Sequence, residues 1–224
     1  MSQIKIKNLN KIYSVGDTKI AAVNNASLNI DRGDFLSIVG HSGSGKTTFI
    51  SIVGGILKPS SGQVLFEDTD ICTLDDDRLS AFRNSKIGFM FQFASLLPIL
   101  TAKENILLPG LFREDKNRHS DERAEEYLDL VGIGEKVDAY PSQLSGGQQR
   151  RVAIARALIN DPEIILADEP TGDLDEETEA EIMELFNKIN TEKKVSIVLI
   201  THNLELARRA PKRLRMSQGV LEVL

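Results

Sequence analysis

Apolar residues two apart mark the opening of the chain as strand. Ile4 and Ile6, then Ala26, Leu28 and Ile30, alternate with polar neighbours on either side of a turn signal at Gly16-Asp17, so residues 3–31 are expected to form an antiparallel edge layer. The run Phe35-Leu36-Ser37-Ile38-Val39 predicts a strand. Beyond a glycine-rich stretch, Phe49, Ile50, Ile52, Val53, Ile56 and Leu57 repeat at helical spacing. Lys58-Pro59-Ser60-Ser61-Gly62 is a dense turn signal, residues 63–66 read as strand, and a further apolar run over 87–91 ends at Gln92.

From 93 to 158 the pattern becomes helical. Ser120 can cap a helix whose Ala124, Tyr127, Leu128 and Val131 share one face, while Asp121, Glu122, Glu125, Glu126 and Asp129 form a solvated one. Four apolar residues, Ile164 to Ala167, then end in Asp168 and Glu169, the pattern of a strand buried on both faces. Ile182, Leu185, Phe186 and Ile189 mark an amphipathic helix, and residues 196–200 form another buried strand ending at Thr201-His202. Pro211 stops the helix that follows, and 213–216 with 220–223 suit a closing hairpin about Gln218-Gly219. The expected fold class is α/β, with a helical subdomain inserted at 93–158 between core segments 1–92 and 159–224.

Composition narrows the picture only a little. The chain has 224 residues and a formal net charge of −6, with both signs mixed along it, so no sequence-wide basic field points to nucleic acid; a local basic patch stays open. The single Cys72 cannot form an internal disulfide, and without metal-type Cys/His spacing the chain reads as a reduced, cytosolic protein. No apolar run approaches the ~18 residues of a membrane span, and the first residues do not open a secretory signal, so the expected protein is soluble by itself.

The chemistry begins at Gly40-His41-Ser42-Gly43-Ser44-Gly45-Lys46-Thr47-Thr48. Its form, G-x-x-x-x-G-K-[ST] between strand and helix, is that of a phosphate cradle: glycines let backbone N–H groups turn inward and the helix N-terminus adds partial positive charge. Lys46 supplies a point charge for the β- and γ-phosphates, and the Thr47 hydroxyl would face Mg²⁺. Asp168 and Glu169, adjacent at a strand end, point in different directions, so one can address Mg²⁺ and the other a water. His202 emerges at the same kind of strand end. Tyr13 can stack on a purine base or lie half-buried at the surface, and spacing alone leaves both open.

Leu144-Ser145-Gly146-Gly147-Gln148 is a second motif, opening a helix over 149–159 with Ser145 at the cap position. Two glycines and a hydroxyl at a helix N-terminus make a second anion site, yet no second lysine and carboxylate set accompanies it. The economical solution is that this site completes the phosphate shell of a neighbouring copy.

With these residues in their order and approximate spacing, the chain resembles the ATPase subunit of ABC transporters over essentially its whole length. The resemblance implies a P-loop NTPase parallel-sheet core, ATP and Mg²⁺ as ligands, and a head-to-tail dimer enclosing two ATP molecules. By resemblance Gly40–Thr48 is the Walker A motif and Tyr13 stacks on adenine. Gln92 is the Q-loop residue near Mg²⁺ and a membrane partner, and Ser145, Gly146, Gly147 and Gln148 belong to the signature. Asp168 is the Walker B metal ligand beside Thr47, Glu169 the catalytic base, Asp175 part of the D-loop and His202 the switch histidine. A separate transmembrane permease is the implied partner, with the ATPase peripheral on the cytoplasmic face of the cell membrane. Pro170-Thr171-Gly172-Asp173-Leu174-Asp175, Leu96-Leu97-Pro98 and Thr101-Ala102-Lys103-Glu104-Asn105 resemble the branch of macrolide exporters, lipoprotein-release ATPases and a cell-division ATPase. That branch often has Asn where Asp173 stands and Asp where Asn203 follows the histidine; neither departure removes a catalytic group. A mechanical signalling ATPase, whose membrane partner transports nothing, is the alternative these motifs leave open.

Overall fold

A computed structural model describes residues 2–112 and 120–224. Its centre is a six-stranded sheet in the order β10-β9-β3-β8-β7-β6. These strands are β3 (Phe35–Val39), β6 (Ile87–Met90), β7 (Ile164–Asp168), β8 (Ser196–Thr201), β9 (Lys212–Ser217) and β10 (Val220–Val223). All neighbours run parallel except β10, which turns back on β9 as the expected hairpin. Residues Ile164–Ala167 and Ile197–Ile200 are buried throughout because both faces of the sheet are covered.

One face is covered by a second sheet, ordered β2-β1-β4-β5, built from β1 (Ser2–Val15), β2 (Thr18–Asp31), β4 (Ser61–Phe66) and β5 (Thr69–Asp70). β1 pairs antiparallel with both β2 and β4, which bears out the alternation at Ile4, Ile6, Ala26 and Ile30: each is buried, and together with Phe49, Val64 and Leu166 they form one core. The layer is a separate sheet rather than an extension of the parallel one. A polar seam fixes the two: Ser196 Oγ donates to Gln3 Oε1 at 2.6 Å, and Gln3 Nε2 donates to the Glu163 carbonyl at 3.3 Å.

The described α-helices are α1 (Lys46–Val53), α2 (Asp76–Lys86), α3 (Ala102–Leu107), α4 (Asp121–Leu130), α5 (Gly146–Leu158), α6 (Glu176–Lys193) and α7 (Leu204–Ala207). Ser120 does cap α4, accepting from Arg123 N at 3.3 Å, and Ala124, Tyr127, Leu128 and Val131 are buried. α5 begins three residues earlier than its apolar pattern suggests. Ser145 accepts from Gln148 N while the Gln148 side chain accepts from Ser145 N, a reciprocal cap that draws both glycines into the first turn. At the start of the stretch read as helical, residues 93–100 form no helix. α3, α4 and α5 share one core with α6 and with the β7 and β8 side chains of that face. Each fully buried Leu or Ile there contributes ~1.5–3 kcal/mol relative to exposure.

A latch at the far end of α4 carries a pH prediction. Tyr127 OH donates to Asp161 Oδ1 at 2.9 Å and Arg123 Nη2 to Oδ2 at 2.5 Å. Partial burial would raise the Asp161 pKa, but these donors outweigh it and hold the carboxyl below the ordinary range. A depressed folded pKa contributes stability above the unfolded value of ~3.9 and loses it as pH falls through the folded one. Asp161→Asn is therefore expected to melt lower than the parent at pH 7, with the gap closing below about pH 4 in thermal scans. A gap independent of pH would contradict this.

Candidate active site

The parallel strands bring their C-terminal ends to one edge. Val39 is in register with Thr201 on one side and Arg215 on the other, Asp168 with Ile200, and Ala167 with Met90. The residues just beyond the strand ends therefore fall along a single line: the cradle after β3, Gln92 after β6, Glu169 after β7 and His202 after β8. A cleft of ≈ 910 Å³ opens there, walled by Gly40–Thr48, Gln92, Glu169 and His202. It is the crevice outside the carboxyl ends of the strands where ligands of open α/β sheets bind.

The cradle is shaped by backbone that only glycine adopts easily. Gly43 has φ +76° and Gly45 φ +103°, and Gly45 stands at the cap position of α1 without a side-chain cap. The first turn of α1 contains no acidic residue, so its N–H groups and dipole are free to meet an anion. Lys46 is only 7% exposed, and its Nζ donates to the carbonyls of Gly40 at 2.7 Å and His41 at 3.0 Å, which poses the ammonium over the loop. β9 and its turn into β10 close the floor: a Cβ on Gly40 would lie 2.3 Å from the Met216 carbonyl oxygen, and Gly219 N donates to Ser44 O at 3.0 Å.

Two buried polar atoms here lack a hydrogen-bond partner, Ser44 Oγ and Asp168 Oδ1. Burial pushes the Asp168 carboxyl pKa up; the Thr47 hydroxyl opposes this, Glu169 adds to it, and the Lys46 ammonium opposes it. An orphaned buried carboxylate oxygen on a side chain that meets a threonine hydroxyl fits a hard cation with oxygen ligands. No group of three or more His, Cys, Asp or Glu side chains suited to a metal ion occurs among the described residues.

Glu169 leaves β7 with φ +49°, a conformation uncommon for a residue other than glycine, and its N–H donates to Ile200 O at 2.9 Å while Gly172 N donates to its carbonyl at 3.0 Å. Its Oε2 lies 2.7 Å from His202 Nδ1. A proton on Nδ1 then bonds the carboxylate and leaves Nε2 as the free ring nitrogen. β8 and β7 are adjacent, which is why residues 33 apart in sequence meet.

The other expected site residues lie elsewhere. Tyr13, on β1, is exposed, with the Lys11 ammonium 5.4 Å from its ring centroid, and is not among the residues that wall the cleft. Ser145, Gly146, Gly147 and Gln148 form the first turn of α5, also outside the cleft. Asp175 caps α6, accepting from Thr178 N at 2.9 Å and from Thr178 Oγ1 at 2.7 Å. Gly147 has a packing reason as well: a Cβ there would come within 2.6 Å of Thr178 Cγ2, so the α5 N-terminus sits directly against the start of α6. Sequence reasoning missed Ala22, Leu204, Arg215, Met216 and Ser217, which also wall the cleft. Strand pairing brings most of them there, and no motif announces them.

The geometry can be set beside known proteins. A family model described as ABC transporter matches residues 23–172. The chain is 44% identical over 223 residues to an uncharacterized ABC transporter ATP-binding protein, MJ0796, of Methanocaldococcus jannaschii, covering 98% of this chain and 95% of that one. It is 42% identical to the lipoprotein-releasing system ATP-binding protein LolD of Myxococcus xanthus, covering 98% of each. Against the macrolide export ATP-binding/permease protein MacB of Syntrophobacter fumaroxidans it is 42% identical over 99% of its own length, but spans only 31% of that larger protein. The dimeric MJ0796 cassette solved in a post-hydrolysis state with ADP and Pi superposes with a TM-score of 0.88 at 43% identity, covering 98% of this chain and 96% of that one.

Proposed function

The chain belongs to the ABC transporter family, and from that premise we propose that it is the ATP-hydrolysing subunit of an export or lipoprotein-release type system, dimerising around two ATP molecules to power a separate membrane permease. One observation carries the dimer: the cleft unites the cradle, Gln92, Glu169 and His202, whereas Ser145–Gln148 and Asp175 are on the same chain but outside it. A second subunit, placed head to tail, supplies its α5 N-terminus to this cleft and receives this one's in return. The dimeric MJ0796 cassette, solved with ADP and Pi, supports a dimer. Residues 93–158 then serve as the subdomain that presents the signature turn.

In this reading backbone N–H groups of 40–48 and Lys46 hold the β- and γ-phosphates, and Tyr13 reaches the base. Thr47, Gln92 and Asp168 would hold Mg²⁺, which when bound neutralises phosphate charge. Glu169 orients a water and accepts its proton as the water oxygen bonds the γ-phosphorus. The bond to the β–γ bridging oxygen breaks, and its electron pair leaves with ADP. His202, held through Nδ1 by Glu169, keeps the carboxylate aimed, and it donates to a γ-phosphate oxygen only when Nε2 also carries a proton.

Among the described residues no helix is long and apolar enough to cross a membrane. Attachment at the cytoplasmic face would therefore be through the permease. The docking surface we assign is the loop after β6. Asn105, fully buried, accepts from Leu97 N at 2.8 Å and donates to the carbonyls of Leu97, Leu100 and Thr101. That side chain templates a loop on which Leu97 and Ile99 face outward, with Phe93, Leu111 and Phe112 also exposed; Ile99 is 80% and Phe112 79% exposed. Leu96 and Leu100 are only partly exposed. The test is a pull-down from membranes that identifies the bound permease, followed by flux through the reconstituted complex. Ile99→Asp is expected to reduce permease recovery at least tenfold without lowering the melting temperature, because the side chain stands outside the core. Undiminished recovery would place the contact elsewhere.

A further inference from the structure

The loop carrying Gln92 is irregular, yet it is gripped from one direction. Arg150, on the second turn of α5, donates from Nη1 to the Phe91 carbonyl at 3.4 Å and from Nη2 to the Gly172 carbonyl at 3.0 Å. Further along the same helix, Arg156 donates from Nη1 to the Ser95 carbonyl at 2.8 Å and from Nη2 to the Ala94 carbonyl at 2.7 Å. Gln92 is thus flanked on both sides by carbonyls held by one helix. Ser95 has φ +48°, a left-handed conformation uncommon for serine, so the loop is bent where Arg156 holds it.

These guanidiniums are costly to keep. Arg150 is 6% exposed, and burial lowers the pKa of both groups. Among the described residues neither has a carboxylate within ion-pair distance; Asp173 acts on Arg150 only as a more distant charge. A buried cation held by carbonyls alone is a poor device for stability, since a hydrophobic side chain would fill the same volume without the desolvation cost. What the pair does achieve is geometric. It makes α5, the Gln92 loop and the turn after Glu169 into one linked body.

We infer that Arg150 and Arg156 are positioning residues that couple the N-terminal turn of α5 to Gln92 and to the Glu169 turn. The inference rests on the reading that this turn completes the ATP site of a second subunit. When that ATP draws on Ser145–Gln148, α5 moves as a rod. The four carbonyl bonds carry the displacement to Gln92 and Gly172 of the subunit's own cleft, so each ATP biases the other site. Arg150 acts on both segments, Arg156 on the loop alone. Lysine at either place keeps the charge and much of the packing but, as a single ammonium, cannot hold two carbonyls in a fixed fork.

The experiment is a double-mutant cycle on the full chain, reading steady-state kcat, KM and the Hill coefficient for ATP, with melting temperatures recorded throughout. Arg156→Lys is expected to lower kcat about tenfold and to bring the Hill coefficient towards 1, with ATP binding to the separated subunit changed less than twofold. In a Gln92→Ala background the same substitution should cost less than twofold, because the residue it acts through is gone; residues in one network are non-additive, whereas independent ones add. Arg150→Lys serves as the second arm: because it also loses Gly172, it should retain a threefold or larger effect in that background. Equal penalties for Arg156→Lys in both backgrounds would overturn the coupling and leave a merely structural arginine. A Gln92→Ala protein with normal turnover would instead show that Gln92 has no part in hydrolysis, a failure of the functional reading itself. A parent enzyme with a Hill coefficient of 1 would overturn the coupling between the two sites.

Discussion

Glu169→Gln is expected to bind ATP with near-parent affinity, hydrolyse it ~10²–10⁴-fold more slowly, and accumulate as an ATP-bound dimer. The substitution removes a proton acceptor and little else. Glutamine has the shape of the carboxylate, and its amide oxygen can still accept the bond that His202 Nδ1 makes to Oε2 at 2.7 Å. The cradle is formed by other segments, and neither Lys46 nor the α1 N-terminus contacts this side chain through a hydrogen bond. Losing a general base raises the barrier by about 3–5.5 kcal/mol while the binding free energy is retained. A dimer that closes on ATP then reopens only at the slowed chemical rate. Phosphate release and size-exclusion chromatography with light scattering give both readouts. Unchanged turnover would remove Glu169 from its role, and slow turnover by a monomer would remove the dimer.

The second large effect is expected at Gly45. An added methyl would lie 1.9 Å from the Ala22 carbonyl oxygen and 3.1 Å from Met216 Cε, and the residue has φ +103°. A backbone oxygen cannot swing aside as a side chain can, so either β2 or the cradle must shift, on top of roughly 1–3 kcal/mol of conformational strain. In the proposed function the cradle carries the phosphate contacts, so a shift on either side of this contact disturbs them. Gly45→Ala is therefore expected to weaken ATP binding by about 100-fold or more, equivalent to roughly 2.7 kcal/mol, and to lower the melting temperature. Gly43→Ala is the control, because Gly43 also has positive φ, +76°, but a Cβ there would meet nothing within 4 Å. It should lose much less. Equal losses would assign the effect to φ alone, and normal binding by Gly45→Ala would show that the cradle tolerates displacement.

Both predictions depend on residues whose chemistry is legible in order along the chain and on distances that are not. Asp168 and Glu169 declare themselves because four apolar residues end abruptly in two charges, a pattern that a doubly buried strand imposes. His202 declares itself in the same way. Neither pattern says that the histidine ring meets Glu169 rather than Asp168; that follows from β8 lying next to β7 and from the positive φ that turns Glu169 out of the strand. Ser145 was legible as a cap by its own local chemistry. That Gly147 is a seat for Thr178 was not, since Thr178 is 31 residues away and arrives with α6. Arg150 and Arg156 were silent for a related reason: an arginine on a helix reads as a solvated surface residue until the fold covers it.

Local interactions, then, were enough to mark the α/β alternation, the glycine-rich loop, the caps and the polar residues at the strand ends, because glycine conformation, capping and strand burial leave their marks within a few residues. Tertiary structure alone decided which of these share a cleft. Parallel pairing carries the ends of β3, β6, β7 and β8 to one edge, and the same pairing leaves the signature turn of α5 outside it. That separation is a matter of long-range strand order and helix packing, whose contacts join residues far apart in sequence and so leave no periodicity behind. It is also the reason that, in the proposed dimer, a complete-looking nucleotide motif is half of a site.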